Sequence, residues 1–343
     1  LEESGYMSRV VFLMDKIMRK FGLSGKSIVP LISGTACAIP AIMATRNIEN
    51  WKERLITILV TPFTTCSARL PVYAIIIALV IPDERVFGVI NMQGLTLMLL
   101  YLLGFGMAIF SAYILNKILK IKGKTYFVVE MPNYKLPLFK NVAINVIEKT
   151  KAFIYGAGKI ILAISIVLWF LASYGPGEKF NNAEKIVIEK NSAKPLGESE
   201  LQNAIASQKL ENSYIGIMGK TIEPVISPLG YDWKIGVAII SSFAAREVFV
   251  GTLATIYSVG DSDNDNTIKN KMQAEINPAT GEKIFNFASG ISLLLFYAFA
   301  MQCASTIAIT KKETNSWKWP LGQLIFMSGL AYVVALVAFQ ILK

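Results

Sequence analysis

Four runs without a charged side chain, at residues 27–45, 95–116, 286–310 and 319–342, constrain this chain more than anything else in it. Each is near or above the ~18 residues that carry a helix across the hydrocarbon core of a bilayer. A soluble fold cannot hide so much apolar chain. Hydrophobic residues make up 53% of the sequence and charged ones only 17%, where a soluble domain has ~25%. The expected fold class is all-α, a polytopic helical membrane protein, with the lipid bilayer as its first partner. The net charge of +10 raises nucleic acid as an alternative. The Lys and Arg residues, however, are spread over loops and segment ends, without a basic stripe interleaved with exposed aromatics, so no nucleic-acid partner is expected.

Several apolar segments are poor material for plain helices. Residues 27–45 contain Pro30, Gly34, Cys37 and Pro40. Proline costs ~3 kcal/mol in a helix interior, so a broken or re-entrant helix is expected there. Residues 55–81 read as a full span carrying Pro62, Cys66, Arg69 and Pro71. Residues 235–259 are apolar around Arg246-Glu247, and 286–310 form a span holding Gln302-Cys303-Ala304-Ser305. In a bilayer, irregular backbone survives only where protein or water satisfies the freed N–H and C=O groups, so such segments line cavities rather than face lipid.

The order of amphipathic lead-in, interrupted apolar segment, polar turn and Cys-bearing span occurs twice, at 4–81 and 211–310. Aligning Gly22-Leu23 with Leu229-Gly230 brings Cys37 within a position or two of Arg246-Glu247. Paired broken segments in a helical repeat point to a transport site near the bilayer midplane. The resulting partition is 1–82, first repeat; 83–150, a membrane helix and basic cytoplasmic loop; 151–234, a membrane helix and polar external loop; 235–310, second repeat; 311–343, C-terminal helix. Residues 117–150 carry seven Lys against two Glu, which places that loop in the cytoplasm by the positive-inside rule. Residues 152–174 then cross outward. Residues 175–233, with six Lys against eight acids, suit an external loop, helical around 198–210. The polar insert from Asp261 to Lys283 is expected outside too, making the repeats inverted.

Histidine is absent, which removes His-based zinc, haem and catalytic chemistry. The three cysteines, an odd number, all lie in the interrupted or polar-notched segments, which makes a disulfide framework a poor reading. A cysteine in a membrane helix is most often a small hydrophobe. Together, however, these three offer soft sulfur to a transition metal, with harder oxygens from Thr35, Thr65, Ser67, Gln302 and Ser305 beside them. Arg69, Arg246 and Glu247 are costly in a bilayer and are expected to be paired or wet, Glu247 either in the path or in an ion pair between repeats. Gly22-Leu23-Ser24-Gly25-Lys26-Ser27 imitates a phosphate-binding loop, but Lys20 stands where its first glycine belongs and the preceding segment is helical.

The motifs Gly5-Tyr6-Met7-Ser8-Arg9, Cys37-Ala38-Ile39-Pro40, Cys66-Ser67-Ala68-Arg69-Leu70-Pro71, Met131-Pro132-Asn133-Tyr134, Arg246-Glu247-Val248-Phe249-Val250-Gly251 and Met301-Gln302-Cys303 resemble the membrane domain of the ferrous iron transport protein B (FeoB) family, over nearly the whole chain. The resemblance implies two gate-type repeats in a bacterial inner-membrane importer of Fe2+, a transporter and not an enzyme. It implies Cys37, Cys66 and Cys303 along the iron path and Arg246-Glu247 as the second gate motif, giving Cys37, Cys66, Cys303 and Glu247 as candidate metal-contacting residues. It also implies an upstream GTPase domain missing from this chain, so no nucleotide is expected to bind here. Small accessory Feo proteins and a homo-oligomer are the further partners it suggests. A nucleoside or other solute carrier with a gate fold is the alternative within transport. A non-transporting scaffold, or a thiol redox enzyme disfavoured by the lack of Cys-x-x-Cys, lies outside it.

Overall fold

The computed structural model describes residues 5–86, 90–119, 134, 138–176, 180, 182–190, 198–246, 248–256, 272, 283–301 and 303–343. Among these the chain is helical apart from one two-residue antiparallel pair. In order the elements are α1 (Tyr6–Met18), α2 (Ile28–Ser33), α3 (Ala38–Ala44), α4 (Trp51–Val60), α5 (Leu70–Val80), β1 (Arg85–Val86), β2 (Ile90–Asn91), α6 (Met92–Ile118), α7 (Phe139–Phe153) and α8 (Lys159–Ser173). Then come α9 (Ala183–Lys190), α10 (Glu198–Glu211), α11 (Tyr214–Ile226), α12 (Trp233–Ser241), α13 (Val248–Ile256), α14 (Phe287–Phe299), α15 (Ala304–Thr314) and α16 (Lys318–Leu342). Among the described residues four stretches are long and apolar enough to cross a membrane: Trp51–Val80, Met92–Ile118, Phe287–Thr314 and Lys318–Leu342. The uncharged run at 27–45 is not among them, and 51–80 is.

The prolines explain why. Pro30 and Pro40 each stand third in their helices, α2 and α3, and Pro71 stands second in α5. Backbone N–H groups in a first turn have no intrahelical partner in any case, so each proline begins a helix at no cost where a continuous span would have been broken. The stretch 55–81, expected as a full span carrying Pro62 and Pro71, lies within the candidate span Trp51–Val80 and is divided by the same physics. Helix α4 stops at Val60, a 3-10 turn runs Thr61–Phe63, Thr64 is extended, and a second 3-10 turn, Ser67–Arg69, leads into α5. The segment 286–310 is likewise divided, into α14 and α15, with Ala300 extended between them.

The repeat is visible element by element. Helices α1 and α11 are both 13 residues long, each is followed by a three-residue 3-10 turn (Arg19–Phe21 and Ser227–Leu229), and each turn ends on a left-handed glycine. Gly22 has φ 77° and Gly230 φ 80°, a conformation that other residues adopt only with strain. Tyr6 to Tyr214 and Gly22 to Gly230 both differ by 208 positions, and the same offset matches the last residues of α2 and α12, Ser33 and Ser241. The expected alignment of Gly22-Leu23 with Leu229-Gly230 is therefore one residue out of register. Corrected, Cys37 answers Ala245, and Arg246-Glu247 follows at once.

Other expectations shift at their edges. The basic stretch 117–150, read as a loop, is helical from Phe139 onward, while Lys120, Lys122, Lys124 and Lys135 lie outside the described residues. The crossing at 152–174 holds the 15-residue α8, entered through a π turn at Ile154–Gly158 and shorter than the four candidate spans. The polar stretch 175–233 is helical at Glu198–Glu211 as expected, and also at Ala183–Lys190.

The chain divides into two compact units. The first comprises 1–67, 99–160 and 305–327. Here α6 buries Leu100, Gly104, Ala108, Ser111 and Ala112, a one-sided stripe of mostly small residues that admits close approach. Gln323 on α16 donates its amide to the Leu59 carbonyl at 2.8 Å. Helix α1 exposes Phe12, Leu13 and Ile17, as an amphipathic lead-in should, yet its Asp15 is buried. Its Oδ1 accepts from the Gly25 amide at 2.9 Å and its Oδ2 from Arg19 at 2.5 Å. The second unit comprises 68–98, 161–304 and 328–343. Its α14 packs on α5 at Gly290, where any Cβ would overlap Val80. Tyr231, Ser292 and the Ala335 carbonyl form a buried hydrogen-bonded chain of 2.9 and 3.0 Å.

Asp15 thus anchors the turn that opens α2. Asp15→Ala leaves the Gly25 N–H buried without its acceptor and is expected to cost about 1–3 kcal/mol. Asp15→Asn keeps an acceptor oxygen and should cost less. Thermal unfolding of the detergent-solubilised variants measures both.

Candidate functional site

In each repeat the two broken segments meet at their breaks. In the first unit the turn at Gly34–Ala36 lies against the stretch Thr64–Ser67. The Ser67 hydroxyl donates to the Ala36 carbonyl at 2.8 Å. A Cβ on Gly34 would overlap Thr64 Oγ1, so only glycine allows this contact. Cys37 follows in extended backbone (φ −158°, ψ 135°) as the residue before the first turn of α3. Cys66 stands directly before the 3-10 turn Ser67–Arg69. The Ser67–Ala36 bond therefore joins the immediate neighbours of two thiols. A third element closes the place from behind: a Cβ on Gly104 of α6 would lie 2.8 Å from Thr65 Oγ1 and 3.0 Å from the Phe63 carbonyl. Thr65 is fully buried, and its hydroxyl has no hydrogen-bond partner among the described residues.

The second unit repeats the arrangement with different chemistry. Among the described residues its breaks fall at 242–246 and at 300–301 with Cys303. The Ala304 amide donates to the Phe243 carbonyl at 3.1 Å, Arg246 Nη2 to the Ala300 carbonyl at 3.2 Å, and the Tyr297 hydroxyl to Ser242 Oγ at 3.2 Å. Arg246 is buried, with Nη1 lacking a partner among the described residues. Tyr297 otherwise packs, its ring 4.8 Å from that of Phe249. Cys303 stands directly before α15, as Cys37 stands before α3. All three cysteines are half-buried and none is in a disulfide. Each sits where one helical segment has ended and the next begins, so backbone carbonyls of the break lie close along the chain to the sulfur.

Of the expected site residues, the structure therefore brings the Cys37 and Cys66 segments together in the first unit and places Cys303 at the corresponding break of the second. Glu247 and Gln302 lie outside the described residues. Among the described residues no group of three or more His, Cys, Asp or Glu side chains is gathered in metal-binding geometry. Thr35 Oγ1 donates to the Ile32 carbonyl at 2.7 Å, while Ser305 is buried with no partner for its hydroxyl among the described residues. Arg69, expected to be paired or wet, has no exposed surface. In the phosphate-loop imitation, the Gly25 amide is taken by Asp15 and Ser27 Oγ lies 2.9 Å from Thr57 Oγ1, so its polar groups serve packing.

Two family models interleave along this geometry. The Gate model, described as nucleoside recognition, matches residues 1–80 and 154–317, the two repeats, and the model of the ferrous iron transport protein B C terminus matches 97–149 between them. This chain belongs to the Gate family, in its ferrous iron transport protein B form. Among similar proteins, the Fe(2+) transporter FeoB of Leptospira interrogans serogroup Icterohaemorrhagiae serovar Lai is 45% identical over 99% of this chain and 46% of its own length. The FeoB of Helicobacter pylori is 34% identical over 99% of this chain and 52% of its own. A fusion of Fe(2+) transport protein A with FeoB in Porphyromonas gingivalis is 37% identical, over 99% and 40%. The chain thus spans about half the length of the curated relatives it matches. No solved structure matches it.

One residue of this Gate-family chain escaped the sequence reading. Glu313, at the end of α15, has a side chain only 3% exposed and receives two arginines, Arg46 Nη2 at 2.5 Å and Arg54 Nη2 at 2.7 Å. Its hydrogen bond raises the Arg46 guanidinium above its ordinary pKa, against the opposing effect of burial and with a smaller contribution from the carboxylate charge. The available signal was its isolation: it is the one acid between Lys283 and the C-terminus, set beside Lys311, Lys312 and Lys318.

The closeness of the first pair of breaks rests on Gly34. Gly34→Val must displace Thr64 and separate the Cys37 and Cys66 segments, with an expected loss of about 1–3 kcal/mol in stability. Thr64→Ala in the same chain should recover part of that loss, and the double-mutant cycle in thermal unfolding measures the coupling.

Proposed function

We propose that this chain is the membrane-embedded part of a bacterial inner-membrane ferrous iron permease, in which Fe2+ passes between the two gate repeats. The single observation that carries the reading is the placement of the thiols: every cysteine of the chain stands at a helix break, and the breaks of each repeat are hydrogen-bonded to each other. Unwound backbone in a bilayer is tolerated where it lines a cavity, and soft sulfur beside carbonyl and hydroxyl oxygen suits a borderline transition-metal ion. Transport needs binding weak enough to release, which a few ligands presented by two segments supply better than a closed four-ligand cage. The names of the relatives support iron as the cargo.

In this reading Cys37, Cys66 and Cys303 present sulfur to the passing ion, and Thr65 and Ser305 add hydroxyl oxygen. Glu247 contributes a carboxylate beside Arg246. The chain acts as a transporter and holds no nucleotide. The Porphyromonas gingivalis fusion supports an accessory protein of the transport protein A kind as a partner. A nucleoside carrier would share the gate fold, as the Gate description suggests, but it gains nothing from thiols at three separate breaks.

Cys→Ser keeps size and hardens the ligand. In the full-length protein, each of Cys37→Ser and Cys66→Ser is expected to lower Fe2+ uptake in membrane vesicles while folding persists, and unchanged uptake in the triple Cys→Ser variant would leave packing as their role. Glu247→Gln should reduce uptake and flatten its pH dependence; wild-type uptake at every pH from a folded Gln variant would make the residue structural.

A further inference from the structure

The buried face of α15 is polar. Ser305, Thr306, Thr310, Glu313 and Thr314 are all buried there, with Ile309 the one apolar residue in the stripe. These positions recur every four residues in adjacent pairs, which is one face of a helix. The exposed or half-exposed residues, Ile307, Ala308, Lys311 and Lys312, occupy the other face, together with the buried Ala304 at its start. A helix that turns its hydroxyls inward reverses the arrangement expected of apolar surroundings, and each buried hydroxyl without a partner costs free energy. Two of these have none among the described residues: Ser305 Oγ and Thr310 Oγ1, with Ser305 only 1% and Thr310 0% exposed. In the last pair of the stripe stands Glu313, whose carboxylate is held by Arg46 and Arg54. From Ser305 to Glu313 a helix advances about 12 Å.

The chain connectivity gives this clamp its meaning. Helix α3 begins directly after Cys37 and runs into the 3-10 turn that carries Arg46. Helix α15 begins directly after Cys303 and ends beside Glu313. The clamp therefore ties the far ends of two half-helices whose near ends carry thiols. It lies among Lys52, Lys311, Lys312 and Lys318, the basic turns that the positive-inside rule assigns to the cytoplasm.

We propose that the inward face of α15 is the cytoplasmic half of the ion path, with Ser305 and Thr310 as way-stations and Glu313 as an exit ligand, and that Arg46 and Arg54 lock this exit by occupying Glu313. A divalent cation arriving at the carboxylate takes over its lone pairs and repels both guanidinium groups, so the cargo opens its own exit and the arginines close it behind. This rests on the permease reading, and its test does not need iron. Thr310→Cys and, as a control on the opposite face, Ala308→Cys are placed separately in the full chain reconstituted in vesicles. Their modification by a small, membrane-impermeant methanethiosulfonate cation is followed by peptide mass spectrometry, with and without Glu313→Gln.

Thr310→Cys is expected to react slowly with Glu313 intact and roughly tenfold or more faster with Glu313→Gln, which removes the buried carboxylate that holds both partly exposed arginines over the end of the stripe. Ala308→Cys should not change with Glu313→Gln. An unreactive Thr310→Cys in both backgrounds would make the stripe a dry core and overturn the path, and equal reactivity in both would overturn the lock. Should Glu313→Gln fail to fold, Arg46→Gln leaves Arg54 on Glu313 and is expected to give a smaller acceleration; no acceleration from a folded Arg46→Gln overturns the lock as well. The acceleration of Thr310→Cys modification that added Fe2+ should give, by displacing the arginines from Glu313, is read separately. Its absence alone would count against iron as cargo while leaving the wet path standing.

Discussion

A backbone that leaves the helix inside a bilayer must find hydrogen-bond partners in protein or trapped water, because lipid offers none. Here the breaks serve one another. The Ser67 hydroxyl meets the Ala36 carbonyl in the first repeat, and the Ala304 amide meets the Phe243 carbonyl in the second. Each repeat can thus carry two interrupted segments at the cost of one shared polar place. That place is where a gap between half-helices, a sulfur and several carbonyls come together. The same requirement fixes the surroundings: Gly34 has no side chain because Thr64 occupies its Cβ position, and Gly104 none because Thr65 and the Phe63 carbonyl do.

The two repeats share geometry and differ in charge. Their lead-in helices, 3-10 turns and left-handed glycines correspond at one constant offset, yet the first break offers Cys37 where the second brings Arg246-Glu247. A buried guanidinium bonded to the Ala300 carbonyl keeps the second pair of breaks together electrostatically. The first pair relies on a hydroxyl and on close packing at a glycine.

Much of this was legible in the sequence because proline, glycine and cysteine speak locally. Pro30, Pro40, Pro62 and Pro71 announced irregular backbone, and the structure places each at the start of a helical turn. The division of 55–81 was signalled by Pro62 and Pro71, although length and hydropathy describe α4 and α5 together as one span and only the turns between Thr61 and Arg69 separate them. Asp15 and Glu313 were not singled out in the sequence because a single acid carries no periodicity of its own. Their burial follows from partners 10 residues away for the Gly25 amide and 267 for Arg46, the second a long-range pairing that no local pattern encodes. The one-residue error in the repeat alignment arose at Gly22 and Gly230, whose shared left-handed backbone is a three-dimensional property.

The central claim is that the ion meets sulfur at the helix breaks. Iron K-edge X-ray absorption on the full-length protein loaded anaerobically with Fe2+ tests it directly. Sulfur in the first coordination shell, lost in the triple Cys37→Ser, Cys66→Ser, Cys303→Ser variant, is the result the account predicts. A shell of oxygen and nitrogen alone, the same in both proteins, would contradict it.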